Sequence, residues 1–469
     1  MSPLKALVGG EALRKDSLDS ASVSSASSLG SPSPDALRCH LDLYYPLDSP
    51  AMQRAKHDVM ARLKMVCEEW AHRLLGGRCT NLQLAVFGSF RLGVSQDSDD
   101  IDACLVVPQA LTRAHFFDEG PLSLIGLLRI KCEVVLAIQT AYVPLIKLVW
   151  DGIEVDLVFA SLSKHEVVPD SVFHELFDDS EAATGMDGKS RLSLGGVRVT
   201  EALLRLVSPP RREQFRLVLR TLRHWAKQRG LYNNKFGFWG GINFAIVATL
   251  VCQLHPTISS EQVLVSKAMK LVCEWPWPKP LQVLLLTSGS ASLPTSPTRS
   301  RGDWMPILTP HVNSNSAVSV TAITKQLLLQ DFAQSHRFIL EQPGDWRGFF
   351  HPARGGFFHR FPAYGQVSAR YLIRHKLDFP RARQWLLFVE SRIRRLCDLL
   401  EHQPGVTVVF PHQLSQVPAH GDEMVWYVGL NLEPDWTFLS GEFASQLVRE
   451  SVDPLRCVVA VGRFLGQRQ

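Results

Sequence analysis

The sequence predicts a multidomain α+β protein. Three observations carry that expectation. The chain has 469 residues, too many for one ordinary domain. Strand and helix patterns mix as far as about residue 198, and helical periodicity then runs from about 199 to 286. Mixed patterns resume beyond about 345. Hydrophobic residues make up 46%, enough to fill sizeable cores. The expected division is a leader at 1–36, an α/β domain at 37–198, a helical central domain at 199–344 and an α+β domain at 345–469.

Residues 1–36 are rich in serine and poor in apolar side chains, which predicts a disordered leader. Glu11, Asp16 and Asp19 argue against a transit peptide, a class that is poor in acids. Ordered structure is expected from near Leu41. Over 50–75, Val59, Leu63, Val66, Trp70 and Leu74 recur at helical spacing, with Gly76-Gly77 as the stop. Leu82–Phe87 and Ile101–Val107 read as strands. Val143–Val149 and Ile153–Phe159 read as a hairpin around Asp151-Gly152. The polar stretch 288–303 reads as a loop. Further on, Gln384–Glu401 has one apolar face, and Val406–Phe410 and Trp426–Leu432 read as strands.

Several classes are disfavoured. No run of about 18 apolar residues is present, so no membrane span is expected. The nine cysteines form no Cys-x-x-Cys pair, and the 16 histidines lack metal-type spacing. Reduced thiols and no structural zinc follow. The net charge of +5 says little, but its distribution says more. Between Arg347 and Arg395, basic residues greatly outnumber the two acids, Asp378 and Glu390. Phe349, Phe350, Phe357, Phe358, Phe361, Tyr364 and Tyr371 are interleaved with them. Such a block suits a polyanion-binding face, or equally a solvated surface.

The chemistry concentrates in Phe87-Gly-Ser-Phe-Arg-Leu-Gly93 and Asp99-Asp-Ile-Asp102. A strand ends at Phe87. Gly88, lacking a Cβ, lets backbone N–H groups approach a phosphate, and Ser89 adds a hydroxyl. Asp100 and Asp102 are two apart, so their side chains share a face. Two such carboxylates repel each other unless a cation sits between them, which makes a natural Mg²⁺ site. On a later strand Ile153 and Val155 should face the core, leaving Asp156 to join the pair. Glu154 shares its parity, as a competing ligand or an exposed strand residue.

This Gly-Ser…Asp-x-Asp…Asp pattern resembles the DNA polymerase β-like nucleotidyltransferase superfamily. Over roughly residues 41 to 460 the chain resembles a eukaryotic poly(A) polymerase. The matching stretches are Phe87–Val94, Val143–Leu148, Asp151–Asp156, Trp225–Lys227, Gly237–Gly241, Cys252–Pro256, Glu274–Pro278, Met305–Pro310 and Val389–Ile393. The resemblance implies a polymerase-β-like α/β catalytic domain, a helical central domain and a C-terminal RNA-binding domain of RRM-like fold. It implies transfer of AMP from ATP to the 3′ end of single-stranded RNA without a template. Two Mg²⁺ ions, with Mn²⁺ able to substitute, would sit on Asp100, Asp102 and Asp156. ATP would meet these three and Phe87, Gly88, Ser89, Lys147, Arg223, Tyr232, Asn234, Gly241 and Ile242. RNA would meet Tyr142, Lys147, Arg392, Arg394 and Arg395. The resemblance further implies a monomer working with mRNA 3′-processing proteins in the nucleus, although the chain carries no clear import signal.

Departures from the family pattern are specific. Arg223 stands where the family has a nucleotide-contacting lysine, in a helix that also carries Arg216, Arg220 and Lys227 on one face. Gln96 replaces a hydroxyl residue, and in the Asn313–Ser319 loop Ser316 stands where the family has tyrosine and Ala317 where it has asparagine, beside an RNA contact that the family makes. Two other functions remain open at this point. One is a terminal uridylyltransferase, because base choice turns on few pocket contacts. The other is a catalytically silent RNA-binding scaffold of a 3′-processing complex.

Overall fold

The computed structural model describes residues 35–76, 81–162, 168, 186–287, 290–292, 302–310, 314–351, 361, 363–374, 378–402, 406–412, 423–432, 446–449 and 457–465. The expected leader at 1–36 lies almost wholly outside them, as does most of the 288–303 loop. The described part of that loop forms a two-stranded ribbon, β6 (Leu285–Thr287) with β7 (Ser290–Ser292).

The first helix, α1 (Ala36–Tyr44), starts earlier than the expected onset near Leu41. The second, α2 (Pro50–Leu74), is capped by Ser49, whose Oγ accepts from the Met52 N–H at 3.2 Å. Its buried face includes Val59, Leu63, Val66 and Trp70, as the spacing predicts. Five strands then build one sheet: β1 (Gln83–Phe87), β2 (Ile101–Pro108), β3 (Val134–Ile138), β4 (Leu145–Trp150) and β5 (Ile153–Leu162). The order is β1-β2-β5-β4-β3, with β2 and β5 parallel and the other pairs antiparallel. The β4–β5 hairpin turns on Asp151 (φ 50°) and Gly152 (φ 73°). Both lie in the left-handed region that a type I′ turn requires.

Between the strands run α3 (Gly88–Leu92), α4 (Arg113–Phe116) and α5 (Leu124–Lys131), and both faces of the sheet are covered. Ile101, Ala103, Leu105, Val155, Leu157 and Phe159 pack with the α2 side. Cys104, Val106, Val158 and Ala160 pack with Leu194 and Val197 of α6 (Gly188–Leu206). Asp102 and Asp156 share parity with this second set, so they sit at the end of the α6-covered face, where apolar side chains give way to carboxylates.

The helix α6 runs across position 198 without a break. Beyond it come α7 (Arg212–Gln228), α8 (Gly241–Leu254), α9 (Glu261–Glu274), α10 (Ala322–Glu341) and α11 (Trp346–Phe350). Their shared core holds Trp225, Trp239, Phe244 and Phe332, with the Trp225 indole donating to Ser335 Oγ at 2.8 Å. The last region pairs β8 (Ala363–Tyr371), β9 (Val406–His412), β10 (Glu423–Leu432) and β11 (Cys457–Leu465) in the antiparallel order β11-β8-β10-β9. The helix α12 (Phe379–Glu401) covers this sheet through Trp385, Leu386, Val389 and Ile393. Its Leu387 also packs on Val134, Leu136 and Val149 of the first sheet.

Candidate active site

A cleft of about 1290 Å³ opens where the first sheet, the helices and α12 meet. It is lined by every residue expected at the nucleotide except Asp156: Phe87, Gly88, Ser89, Asp100, Asp102, Lys147, Arg223, Tyr232, Asn234, Gly241 and Ile242. The missing carboxylate is adjacent. Asp156 is the register partner of Asp102 across β2–β5 and of Lys147 across β4–β5. Sequence parity therefore brings Asp102 and Asp156 together from two neighbouring parallel strands, with Asp100 at the end of the loop that leads into β2.

Crowding and burial raise the pKa of two of them, Asp100 and Asp102. Withdrawal from water, then the Asp100 and Asp156 carboxylates, hold Asp102 well above the usual carboxylate range. Asp100 is raised by withdrawal from water and by Asp156. The Asp156 carboxylate accepts a bond from the Lys147 ammonium. Among the described residues no three His, Cys, Asp or Glu side chains already form a metal-holding group. The donor chemistry nonetheless fits a hard divalent ion, because hard oxygen donors crowded against one another are destabilised until a cation divides them. Asp156 then has only to turn from Lys147 toward its register partner.

The Gly88 N–H donates to Thr200 Oγ1 at 3.1 Å. The glycine is required sterically: φ is +68°, and a Cβ would stand 2.2 Å from Asp102 Oδ2. Gly196 on α6 is similar, since a Cβ would stand 2.5 Å from the Phe87 ring. At the opposite wall Tyr232 stacks on Phe244 (5.8 Å, 8° between planes). A Cβ at Gly241 would stand 2.8 Å from the Tyr232 hydroxyl. Asn234 accepts from Ser319 Oγ.

Of the basic residues on α7, Arg220 and Arg223 are buried. Arg220 donates to Tyr45 O (2.6 and 2.9 Å) and to Asp42. Arg223 is buried too, with Nη1 on Val94 O at 2.6 Å and Nη2 on Asp99 Oδ2 at 2.8 Å. Burial alone would raise the Asp99 pKa, but Arg223 and Lys227 outweigh it and hold the carboxyl below its ordinary value. Arg223 is therefore engaged by the loop that leads into Asp100. Gln96, in the same loop, holds Pro46 O through its side chain at 3.2 Å. Ala317 is buried.

Other placements follow. Tyr142 lines the cleft and is 77% exposed. Glu154 is neither a ligand of the cluster nor free: it is paired with Arg383 of α12. Arg394 lies one turn beyond the cleft-lining Glu390 on α12 and pairs with Asp398 at 3.9 Å. Arg392 and Arg395 lie off that stripe, Arg392 being stacked over Phe388 at 4.8 Å. Of the aromatic–basic block, 352–360, 362 and 375–377 lie outside the described residues.

Sequence reasoning missed Lys56, which is fully buried. Its ammonium donates to Asp48 Oδ1, Ser95 Oγ and Gln96 O, all at 2.8 Å. The signal was available, because Lys56 falls on the apolar stripe of α2 with Val59, Met60 and Leu63.

A glycine-serine turn beside acids on adjacent strands, at an interdomain cleft, defines a nucleotidyltransferase fold. Family models match in two blocks: the poly(A) polymerase nucleotidyltransferase domain over residues 34–207 and the poly(A) polymerase central domain over residues 214–352. The chain belongs to the poly(A) polymerase family. It is 30% identical to the poly(A) polymerase of Dictyostelium discoideum over 381 residues, covering 78% of this chain and 45% of that one. Poly(A) polymerase pla1 of Schizosaccharomyces pombe is 30% identical over 382 residues (78% of this chain, 64% of that one). Poly(A) polymerase PAPalpha of Candida albicans is 32% identical over 334 residues (70% and 57%). The chain thus spans about half to two thirds of these relatives' lengths. Among solved structures, Cid1 in complex with its short product ApU is 12% identical, with a TM-score of 0.45 over 68% of this chain and 98% of that one. At that score the likeness carries no weight.

Proposed function

We propose that this chain is a polynucleotide adenylyltransferase, adding AMP from ATP to RNA 3′ ends without a template. The observation that carries the proposal is the register pairing of Asp102 with Asp156, with Asp100 beside them, under the Gly88–Ser89 turn. Two Mg²⁺ ions on these acids would supply Lewis-acid activation of the 3′-hydroxyl and charge neutralisation at the departing pyrophosphate. Mn²⁺ is expected to substitute.

The chain's own residues supply alignment. Ser89 offers its hydroxyl at the turn, and Lys147, once Asp156 turns away, offers an ammonium to phosphate. Tyr232 gives a base a flat wall beside Asn234, Gly241 and Ile242. Membership of the poly(A) polymerase family favours ATP over UTP as donor. The intact acid cluster favours an enzyme over a silent scaffold. An RRM-like character for the C-terminal region is supported by its strand order, fourth-first-third-second in chain order, with a helix between the first two.

The test is primer extension of an oligoadenylate by purified protein with each nucleoside triphosphate in turn. ATP is expected to be incorporated, and Asp100→Ala to abolish extension while the protein remains folded. Preferential UMP incorporation, or undiminished extension by the variant, would overturn the proposal.

A further inference from the structure

Another cavity, of about 540 Å³, lies across α3 and α6 from the catalytic cleft. Gly88, Ser89 and Thr200 line the cleft, while their neighbours Phe90, Arg91 and Glu201 line this cavity. Its size suits a small molecule, because sites for such ligands span about 300–1,000 Å³. One wall is apolar, made of Val86 of β1, Phe90 of α3 and Val197 of α6. The His57 imidazole lies 5.2 Å from the Phe90 ring, so two flat side chains meet there.

The polar end is Arg91. Its Nε donates to Glu201, and its Nη1 and Nη2 have no partner among the described residues. The Glu201 contact orients the guanidinium and leaves its Nη1–Nη2 edge open. That edge matches the spacing of two carboxylate or phosphate oxygens. Arg205, exposed one turn beyond Glu201, brings another cation to the rim. The other lining acid, Asp48, is already neutralised by the buried Lys56 ammonium at 2.8 Å. Two arginines thus face one unshared glutamate, and the excess charge is positive. Nothing in the proposed reaction draws on these groups.

We propose that this cavity is a separate binding site for a small aromatic anion. Its ring lies on the Phe90–Val197 wall, and its carboxylate or phosphate takes the open edge of Arg91. The occupant sits against the helix that carries the Gly88–Ser89 turn, and Thr200, beside Glu201, accepts from the Gly88 N–H at 3.1 Å.

The test titrates the full chain with naphthoate, naphthyl phosphate and uncharged naphthamide by calorimetry, without nucleotide, metal or RNA. At least one anion is expected to bind about 10-fold or more tightly than the amide. The tighter of the two identifies the head group as carboxylate or phosphate. Arg91→Met should abolish the preference for the anion. Because that change also strips Glu201 of its partner, Glu201→Gln is the second variant, and it should retain or tighten anion binding. Arg205→Glu should weaken anion binding by about 3-fold or more with an unchanged Tm. Tyr232→Ala, in the catalytic cleft, should leave the affinity at the wild-type value. Equal affinity for the anions and the amide, no binding of either anion, or wild-type affinity in Arg91→Met overturns the site. Loss of binding in Tyr232→Ala does so too, by placing the probe in the cleft. Since no readout depends on nucleotide transfer, failure here leaves the proposed activity standing, and failure of primer extension leaves this site standing.

Discussion

At the scale of single residues, the site is a compromise between crowding charge and needing it. Asp100 and Asp102 hold protons more tightly when folded than when unfolded. Over the interval between the ordinary carboxylate value and their raised values, the folded state therefore binds more protons, and stability falls as pH rises. Below that interval both states are protonated and the penalty is absent. A divalent ion removes the penalty where the acids are charged. Millimolar Mg²⁺ is thus expected to raise Tm more at about pH 8 than at about pH 5. Asp102→Asn, which cannot ionise, should show a higher metal-free Tm than wild type and a smaller Mg²⁺ shift. Thermal unfolding across pH checks both, and a Tm indifferent to Mg²⁺ at about pH 8 would remove the ions from these acids. Gly88 belongs to the same compromise, because only a residue without a Cβ lets the turn close over Asp102.

At the scale of elements, the decisive piece is the loop between Leu92 and β2. It has no regular structure of its own, yet it delivers Asp100 to the cluster. Two buried cations hold it: Lys56 on Ser95 and Gln96, and Arg223 on Val94 and Asp99. Lys56 satisfies all three of its donors, so its burial is compensated. Replacing it with methionine leaves the buried Asp48 without its cation, at a cost of about 3–5 kcal/mol by comparison with other broken buried pairs. Adding Asp48→Asn should recover part of that loss. Urea unfolding of the single and double variants measures the coupling, and additive losses would show that the pair does not act as a unit. The arginine at 223 follows the same logic. Its fork spans a carbonyl and a carboxylate at once, a geometry that one ammonium cannot reproduce.

At the scale of the whole molecule, α12 ties three regions together. Arg383 reaches Glu154 of the first sheet, Glu390 receives Lys235 from the Asn234–Phe236 turn, and Leu387 inserts beside Val149. These contacts close one side of the cleft. Arg383 is only 4% exposed at its side chain, whereas Glu154 is 32% exposed, so the pair is screened on one side only. Glu154→Ala should cost about 1–2 kcal/mol, mostly by leaving Arg383 buried without its carboxylate. Amide exchange should then quicken along α12 and remain unchanged in β2. Unchanged exchange in α12 would mean that apolar packing alone holds the cleft shut.

The sequence by itself determined several of the elements, among them α2, β1, β2 and the β4–β5 hairpin on Asp151-Gly152, together with the parity of the acids and the family to which the chain belongs. All of these are local: side-chain direction repeats every two residues in a strand, and a turn needs only its own φ angles. What the sequence left open was the partner of each charge. Arg223 pairs with Asp99 across 124 positions, and Arg383 with Glu154 across 229. No periodicity encodes such separations. Only tertiary packing set them, by burying particular cations so deeply that each had to find an acceptor within reach.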